Sequence, residues 1–432
     1  MKRRSSLAAA AMIVAAFGTR VGAAEVANSE NFGLDVGGRI QLIGLAQRVN
    51  DPIRDQTRMY MFIHQARLNL DGHFDGFKYL VTLGFAGEDE ARAPSPGVSL
   101  GLLDMYVDVP IRPLGNTYLR VGQFKIPYSL ERLEDPGTLA FSDRSIQNVA
   151  FRMGRDYGLA LYSNVGVVKG AVGVFSGGGR DVPERFLPLV LGTPMLVARA
   201  GLDNGVFENA FAQKPAQSVQ GPKAAAFINA LYLKDSQIGH STVLNVHLGE
   251  RSLLVNPNWN PYMAATPFSR GDFWEIGADV AGRLPAGSGA IVAEAEVNRG
   301  RYANDYGAVA ANGGRAQLGY EWKPIEATVR YAVIRPDQNM TSGGVAITGG
   351  KLINEITPAL AYTYSRNVRI VADLPVLVNV PVVTENNLGD YVLMDHPDQT
   401  SLLKTAAGAT APAGTVERKN VVSARLMFQG TF

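Results

Sequence analysis

Arg39, Arg67, Arg120, Arg199, Arg330 and Arg425 each stand between small or apolar neighbours in a run of alternating character. Asp104, Asp108, Glu294 and Glu296 fall in the same kind of run. In an extended chain successive side chains point to opposite faces, so alternation gathers these charges on one face. A guanidinium holds two oxygens of one anion at once. A row of such groups along a narrow aqueous passage lowers the barrier for anions and raises it for cations. The plainer reading is that the arginines and acids pair with one another and simply keep that face wet. Lys125 and Arg132 are a different pair, because they lie where an alternating run gives way to a long polar stretch.

Catalytic constellations are missing from the sequence. His64, His73, His240, His247 and His396 form no H-E-x-x-H pattern, and His240 with His247 is too loose a pair to suggest zinc. Gly350-Lys351 is followed by Leu352, so the phosphate-loop pattern fails, and no Gly-x-Ser-x-Gly elbow occurs. Gly177-Gly178-Gly179 follows a strand with no helix behind it and reads as a turn. A barrel phospholipase would need a Ser–His pair that the sequence does not anchor. The expectation is no enzyme, no cofactor and no metal.

The elements that position the charges are short period-2 segments separated by Gly, Pro, Asn and Asp. Seventeen segments qualify: 34–47, 60–72, 77–85, 102–109, 118–124, 156–163, 167–175, 194–202, 224–233, 241–248, 273–284, 290–299, 315–322, 325–334, 355–364, 367–373 and 421–432. In the last, Val422, Ala424, Leu426, Phe428, Gly430 and Phe432 share one face, against Ser423, Arg425, Met427, Gln429 and Thr431. Between 60 and 72 the alternation sends Tyr60, Phe62, Ala66, Leu68 and Leu70 outward. Tyr60, Phe85, Tyr118, Trp322, Tyr362, Tyr364 and Phe432 lie near strand ends, where aromatic girdles sit. Connections alternate between short turns and long loops at about 87–99, 125–155, 176–193, 249–272, 300–313, 335–353 and 374–420.

Composition agrees. The 432 residues are 46% hydrophobic and 19% charged, with no Cys, which excludes disorder, a disulfide scaffold and a thiolate metal site. Lys2, Arg3 and Arg4, the apolar run Leu7 to Phe17, and Gly22-Ala23-Ala24 read as a signal peptide cut after Ala24. Cleavage leaves 37 of the 41 basic residues against 39 acidic ones, a formal charge of −2. That near-neutral charge argues against a nucleic-acid partner. No later stretch holds about 18 consecutive apolar residues, so no helix spans a membrane. A dyad repeat on an exported chain is what a membrane barrel requires, because lipid cannot satisfy open backbone groups. The expected fold is all-β: a transmembrane antiparallel β-barrel over 25–432 after a signal peptide over 1–24, with about sixteen strands and about eighteen as the alternative.

Arg120-Val121-Gly122-Gln123-Phe124-Lys125-Ile126-Pro127-Tyr128-Ser129-Leu130-Glu131 resembles the signature of the phosphate-selective porin O and P family. So do Leu103 to Asp108 upstream and Arg155-Asp156-Tyr157-Gly158-Leu159 downstream. Val174 to Gly177, Ala198-Arg199-Ala200 and Thr357 to Tyr362 are weaker matches in the same order, while 203–272 offers no anchor. The resemblance implies a Gram-negative outer-membrane channel among lipid and lipopolysaccharide. It also implies a homotrimer, assembly machinery that reads the terminal Phe432, and a third long loop folded inward from about Lys125 to Arg155. It further implies small anions, phosphate or polyphosphate first, as what passes. Lys125 matches the family's lysine after Gly-Gln-Phe, and Arg132 follows as a second constriction cation by spacing. The basic path would run along Arg39, Arg67, Arg120, Arg199 and Arg330. The alternatives are a general unselective porin, a plugged barrel serving a periplasmic partner, and a soluble β-rich periplasmic binding protein.

Overall fold

The structure, a computed structural model, describes residues 24–29, 31–49, 57–87, 100–151, 154–177, 194–211, 214–215, 221–237, 270–304, 307–336, 341–342, 345–346, 352–382 and 417–432. Sixteen strands make the barrel. They are β1 (Phe32–Val49), β2 (Thr57–Phe74), β3 (Phe77–Gly87), β4 (Gly101–Pro110), β5 (Thr117–Lys125), β6 (Arg155–Val165), β7 (Val168–Phe175) and β8 (Met195–Asp203). Then come β9 (Lys223–Gln237), β10 (Arg270–Ala286), β11 (Gly289–Asn304), β12 (Gly307–Trp322), β13 (Ile325–Pro336) and β14 (Ile353–Ser365). β15 is in two pieces, Val368–Asp373 and Val376–Val382, and β16 is Glu417–Thr431. Each strand pairs antiparallel with the next, and β16 returns to β1 with Leu42 opposite Phe428. Closure leaves no open edge along that ring, which is the condition for a sheet in lipid.

The sixteen strands correspond to all the expected segments except 241–248, which lies outside the described residues. The alternation holds best at the C-terminus, where Val422, Leu426 and Phe428 are about half exposed while Ser423, Arg425, Met427 and Gln429 are buried. Val172, Leu196, Ile228, Ile276, Val297, Leu318, Ile356 and Leu360 are likewise exposed on the outer face. So many large apolar side chains facing out would be untenable in water, and they suit a hydrocarbon surround. No helix among the described residues is long and apolar enough to cross a membrane.

Four sequence expectations change. His64 is an extra residue in β2: Gln41 faces Gln65 while Leu42 faces Ile63. This bulge reverses the faces before it. Tyr60 and Phe62 therefore turn inward onto Ile43, Leu45 and Met427, and Met59, Met61 and Ile63 face out. Tyr118 also points inward, stacked on Tyr162, so the girdle keeps Phe85, Trp322, Tyr362 and Tyr364. The expected long loop 300–313 is instead strand, since β11 runs to Asn304 and β12 begins at Gly307. Alanine and glycine fill that stretch, so no apolar alternation marked it. The expected loop 374–420 likewise contains strand at both ends, over 376–382 and 417–420.

The inner wall is not polar throughout. Near the loop end it carries Phe175, Met195, Leu233, Phe273, Ile334 and Ile353, all buried. Ile126, Tyr128, Ile146 and Phe151 from the inward loop pack on that surface. The barrel wall thus supplies a dry seat for the loop rather than water on every side. A short strand, Ala24–Asn28, also lies along β1 beyond the end of β16, with Ala24 opposite Val36.

Candidate constriction site

The third long connection, residues 126–154, leaves β5 and folds into the barrel. Gly122 permits the close β4–β5 approach that sets its start: φ is +135°, and a Cβ would lie 2.1 Å from the Met105 carbonyl oxygen. One residue on, Gln123 Nε2 donates to the Leu102 and Leu103 carbonyls at 2.6 and 2.7 Å. The neck closes where Ile126 N donates to Gly154 O at 3.3 Å. Two single turns punctuate the loop, α1 (Leu130–Leu133) and α2 (Ile146–Ala150). Ser129 Oγ caps the first by accepting from Arg132 N, and Ser145 Oγ caps the second by accepting from Asn148 N.

Glu131 is the hub of the loop. Its carboxylate accepts from Ser145 N at 2.8 Å and from Ser145 Oγ at 2.6 Å, tying α1 to α2. Arg330 of β13 reaches it at 3.3 Å and Arg315 of β12 at 3.5 Å. Arg330 also donates to Glu355 at 2.6 and 2.9 Å, while Glu355 accepts from Ile146 N at 2.7 Å. Asp373 accepts from Ser142 N and Oγ and from Arg425. On the adjoining strands Arg39 pairs with Asp135, and Gln41 and Gln429 donate to the Pro136 and Gly137 carbonyls. Arg369 donates to Leu139 O at 2.6 Å. Strands β1, β11 to β16 and the loop are thereby one hydrogen-bonded unit.

Burial alone would raise the Glu131 carboxyl, but Arg315, Arg330 and the Ser145 donors hold it below the usual carboxylate range. Glu134 goes the other way. Burial and the nearby Glu294 and Glu131 push it well above that range, against Arg315 and Arg144.

Of the residues singled out from sequence, Lys125 sits at the loop's root. Its Nζ donates to the Leu133 and Glu134 carbonyls, both at 3.1 Å, and the residue stays partly exposed. Arg132 is buried in α1, within the same loop. Arg39 stands directly across the β1–β2 pair from Arg67. Three others lie along the wall with carboxylate partners. Arg120 meets Asp108 through two 2.7 Å bonds and lies 3.7 Å above the Tyr106 ring. Arg199 meets Asp279 at 2.7 and 2.8 Å over Phe227. Arg330 meets Glu355 through the bonds already described. Lys125, Arg132, Arg39 and Arg330 are gathered on the loop, whereas Arg120 and Arg199 are not. Sequence reasoning missed Arg315, Glu355, Asp373 and Asp135 as loop anchors; the first three occupy inward positions of expected strands, and that parity was their one signal.

Residues 36–186 match the phosphate-selective porin O and P family. The matched stretch takes in most of β1, then β2 to β7 and all of the inward loop. No curated protein sequence matches the chain. Among solved structures, the chain is similar to an anion-selective porin from Comamonas acidovorans: TM-score 0.57, 14% identity, covering 93% of this chain and 100% of that one. It is also similar to the outer membrane channel DcaP of Acinetobacter baumannii, with TM-score 0.52, 11% identity and coverage of 95% and 100%. A third is Pseudomonas putida OprB, with TM-score 0.51, 11% identity and coverage of 93% and 94%. At these identities the likeness establishes the porin barrel as a fold, and the family match places the porin signature on loop and wall alike.

Proposed function

We propose that this protein is a passive outer-membrane porin for small anions, with phosphate-like oxyanions the favoured solutes. The carrying observation is the place of Lys125, whose Nζ donates to two backbone carbonyls at the root of the inward loop. Arg67 stands across the β1–β2 pair from Arg39, whose partner in the loop is Asp135. Asp135 and Thr138 are exposed inside the barrel, so water reaches the loop's inner edge. No bond is made or broken: a fixed cation replaces part of an anion's hydration as it passes. The family match and the anion-selective porin neighbour support the same reading. The protein is exported by the signal peptide to the Gram-negative outer membrane and inserts among lipid and lipopolysaccharide. It works as a homotrimer without a cofactor, and Phe432 presents it to the assembly machinery.

The test is the reversal potential of the purified protein in a planar bilayer under a KCl gradient, then with phosphate added. An anion-selective current that millimolar phosphate reduces is expected. A cation-selective or unselective current would leave a general porin. A second reading, a plugged barrel, is favoured by the apolar packing of Phe124, Ile126, Phe151 and Phe273 inside, and absence of any current would select it.

A further inference from the structure

The connection between β8 and β9 breaks the pattern of its end of the barrel. Five connections at that end turn in two residues, at 75–76, 166–167, 287–288, 323–324 and 366–367, and one, 111–116, in six. This one runs from 204 to 222. Its described first part, 204–211, reverses into the barrel at once. Asp203 Oδ1 accepts from Gly205 N at 2.9 Å and Val206 N at 2.8 Å, and Gly205 takes a φ of +106°. Asn204 is pinned to the start of β9, accepting from Ala224 N at 2.7 Å and Lys223 Nζ at 3.0 Å.

The rest of this segment is apolar and buried: Val206, Phe207, Ala210 and Phe211 are all under 9% exposed. Val206, Phe207 and Ala210 cluster with Phe227 on the wall and with Leu130, a residue of α1 in the inward loop. Phe211 meets Tyr162 edge-on, with ring centroids 4.8 Å apart. Tyr162 in turn stacks on Tyr118 beneath Arg120. A turn of ordinary length would leave this end of the lumen to water. Here two inward elements enter from opposite ends and touch at Leu130.

We propose that residues 204–211 form a second constriction, on the turn side, which braces the inward loop through Leu130 and sets the aperture jointly with it. The inference rests on the channel reading and extends it. Phe207 and Phe211 are size-determining residues: they take lumen width away without adding charge. The consequence is a filter that admits compact hydrated ions and turns away bulkier solutes of the same charge.

The experiment compares the parent with Phe207→Ala/Phe211→Ala in planar bilayers, measuring single-channel conductance in KCl and exclusion of neutral polyethylene glycols of graded size. β-sheet circular dichroism in detergent confirms that the barrel is intact. The double variant should conduct about 1.5-fold more or better and admit larger polymers, with the reversal potential unchanged, because no charge is removed. Phe207→Leu, which keeps most of the packing, should fall between the two. Conductance and polymer cut-off equal to the parent's would overturn the proposal. A silent parent with a conducting variant would support the constriction while overturning free diffusion through the native protein. If neither conducts, both readings fall.

Discussion

Arg330, on the wall in β13, and Glu131, in the inward loop, meet at 3.3 Å although 199 residues separate them in the chain. Arg330 simultaneously grips Glu355, which accepts from the first amide of α2. One guanidinium therefore fixes both turns of the loop against the wall. Both partners are about 1% exposed, and each has a second buried counter-charge, Glu355 for Arg330 and Arg315 for Glu131. Glu131→Gln takes one carboxylate from Arg315 and Arg330, which keep Glu294, Glu296 and Glu355. The loss is therefore smaller than the roughly 3–5 kcal/mol of a buried pair broken from one side. The expected result is a barrel that still forms, with a lower melting temperature and noisier, larger single-channel currents. Thermal denaturation in detergent and bilayer recording check the two halves.

Lys125→Glu tests the selectivity argument. The new carboxylate would face the Leu133 and Glu134 carbonyls, which repel it, and the local field at the loop's root would become less positive. The reversal potential under a KCl gradient should shift toward cations. Arg132→Ala should shift it less, since Arg132 is buried in α1 and acts from further inside the loop. An unchanged reversal potential in Lys125→Glu would remove Lys125 from the mechanism.

The acid limb of channel behaviour follows from Glu131. With its carboxyl held below the usual range, the loop's docking gains stability that is fully present above a free glutamate's pKa of about 4.3. That stability is lost only as pH falls through the depressed folded value. Conductance should therefore hold from pH 7 down to about 4.3 and change only below it. Glu134 has the opposite sign. Its raised carboxyl contributes stability below about 4.3 that is lost as pH rises through the folded value. Glu134→Gln should remove whatever loosening the parent shows as pH rises through that value. Conductance recorded across pH 3 to 9 would refute this if the parent loosened near 4.3 itself.

Much of the fold was legible from residue spacing, and the failures have identifiable causes. Period-2 alternation located the strands because lipid and lumen impose opposite polarity on alternate residues, most cleanly from Val422 to Phe428. The face of Tyr60 and Phe62 was not legible, because one inserted residue, His64, resets the phase without leaving a mark in composition. Lys125 is singled out by its place after Gly-Gln-Phe, and it stands at the loop's root. Its partners could not be read there, since its ammonium binds carbonyls supplied by the loop's own fold. Glu131 stood within the porin-like motif, but its contacts with Arg315 and Arg330 exist only once the barrel closes. The turn-side segment 204–211 has no alternation and few charges, so its burial came from tertiary packing alone.

Gly313 in β12 offers a test of the loop's dry seat. A Cβ there would lie 2.2 Å from the Phe151 ring, so Gly313→Leu must displace the end of the loop. The wall strand is bonded on both sides to β11 and β13 and should hold. Larger conductance with an unchanged β-sheet spectrum is expected. Adding Phe151→Ala should return conductance toward the parent's, because the two side chains compete for one space. Additive effects in the double variant would show that Phe151 is not what Gly313 accommodates.

Phe432 closes on Gly38 of β1. Its backbone N–H donates to Gly38 O at 3.1 Å, and Gly38 N donates back at 2.9 Å. Its ring covers Gly38 so closely that a Cβ there would lie 2.3 Å from the ring edge. The backbone bonds survive substitution, whereas the ring does not. If the ring is chiefly an assembly signal, Phe432→Ala should lower outer-membrane yield in cells yet refold in detergent as well as the parent. If the ring is chiefly structural, yield and refolding should fall together. The neighbouring strand Ala24–Asn28 pairs with β1 just past this point and supplies further backbone bonds along the same edge. That support favours the first outcome: refolding in detergent retained and yield in cells reduced.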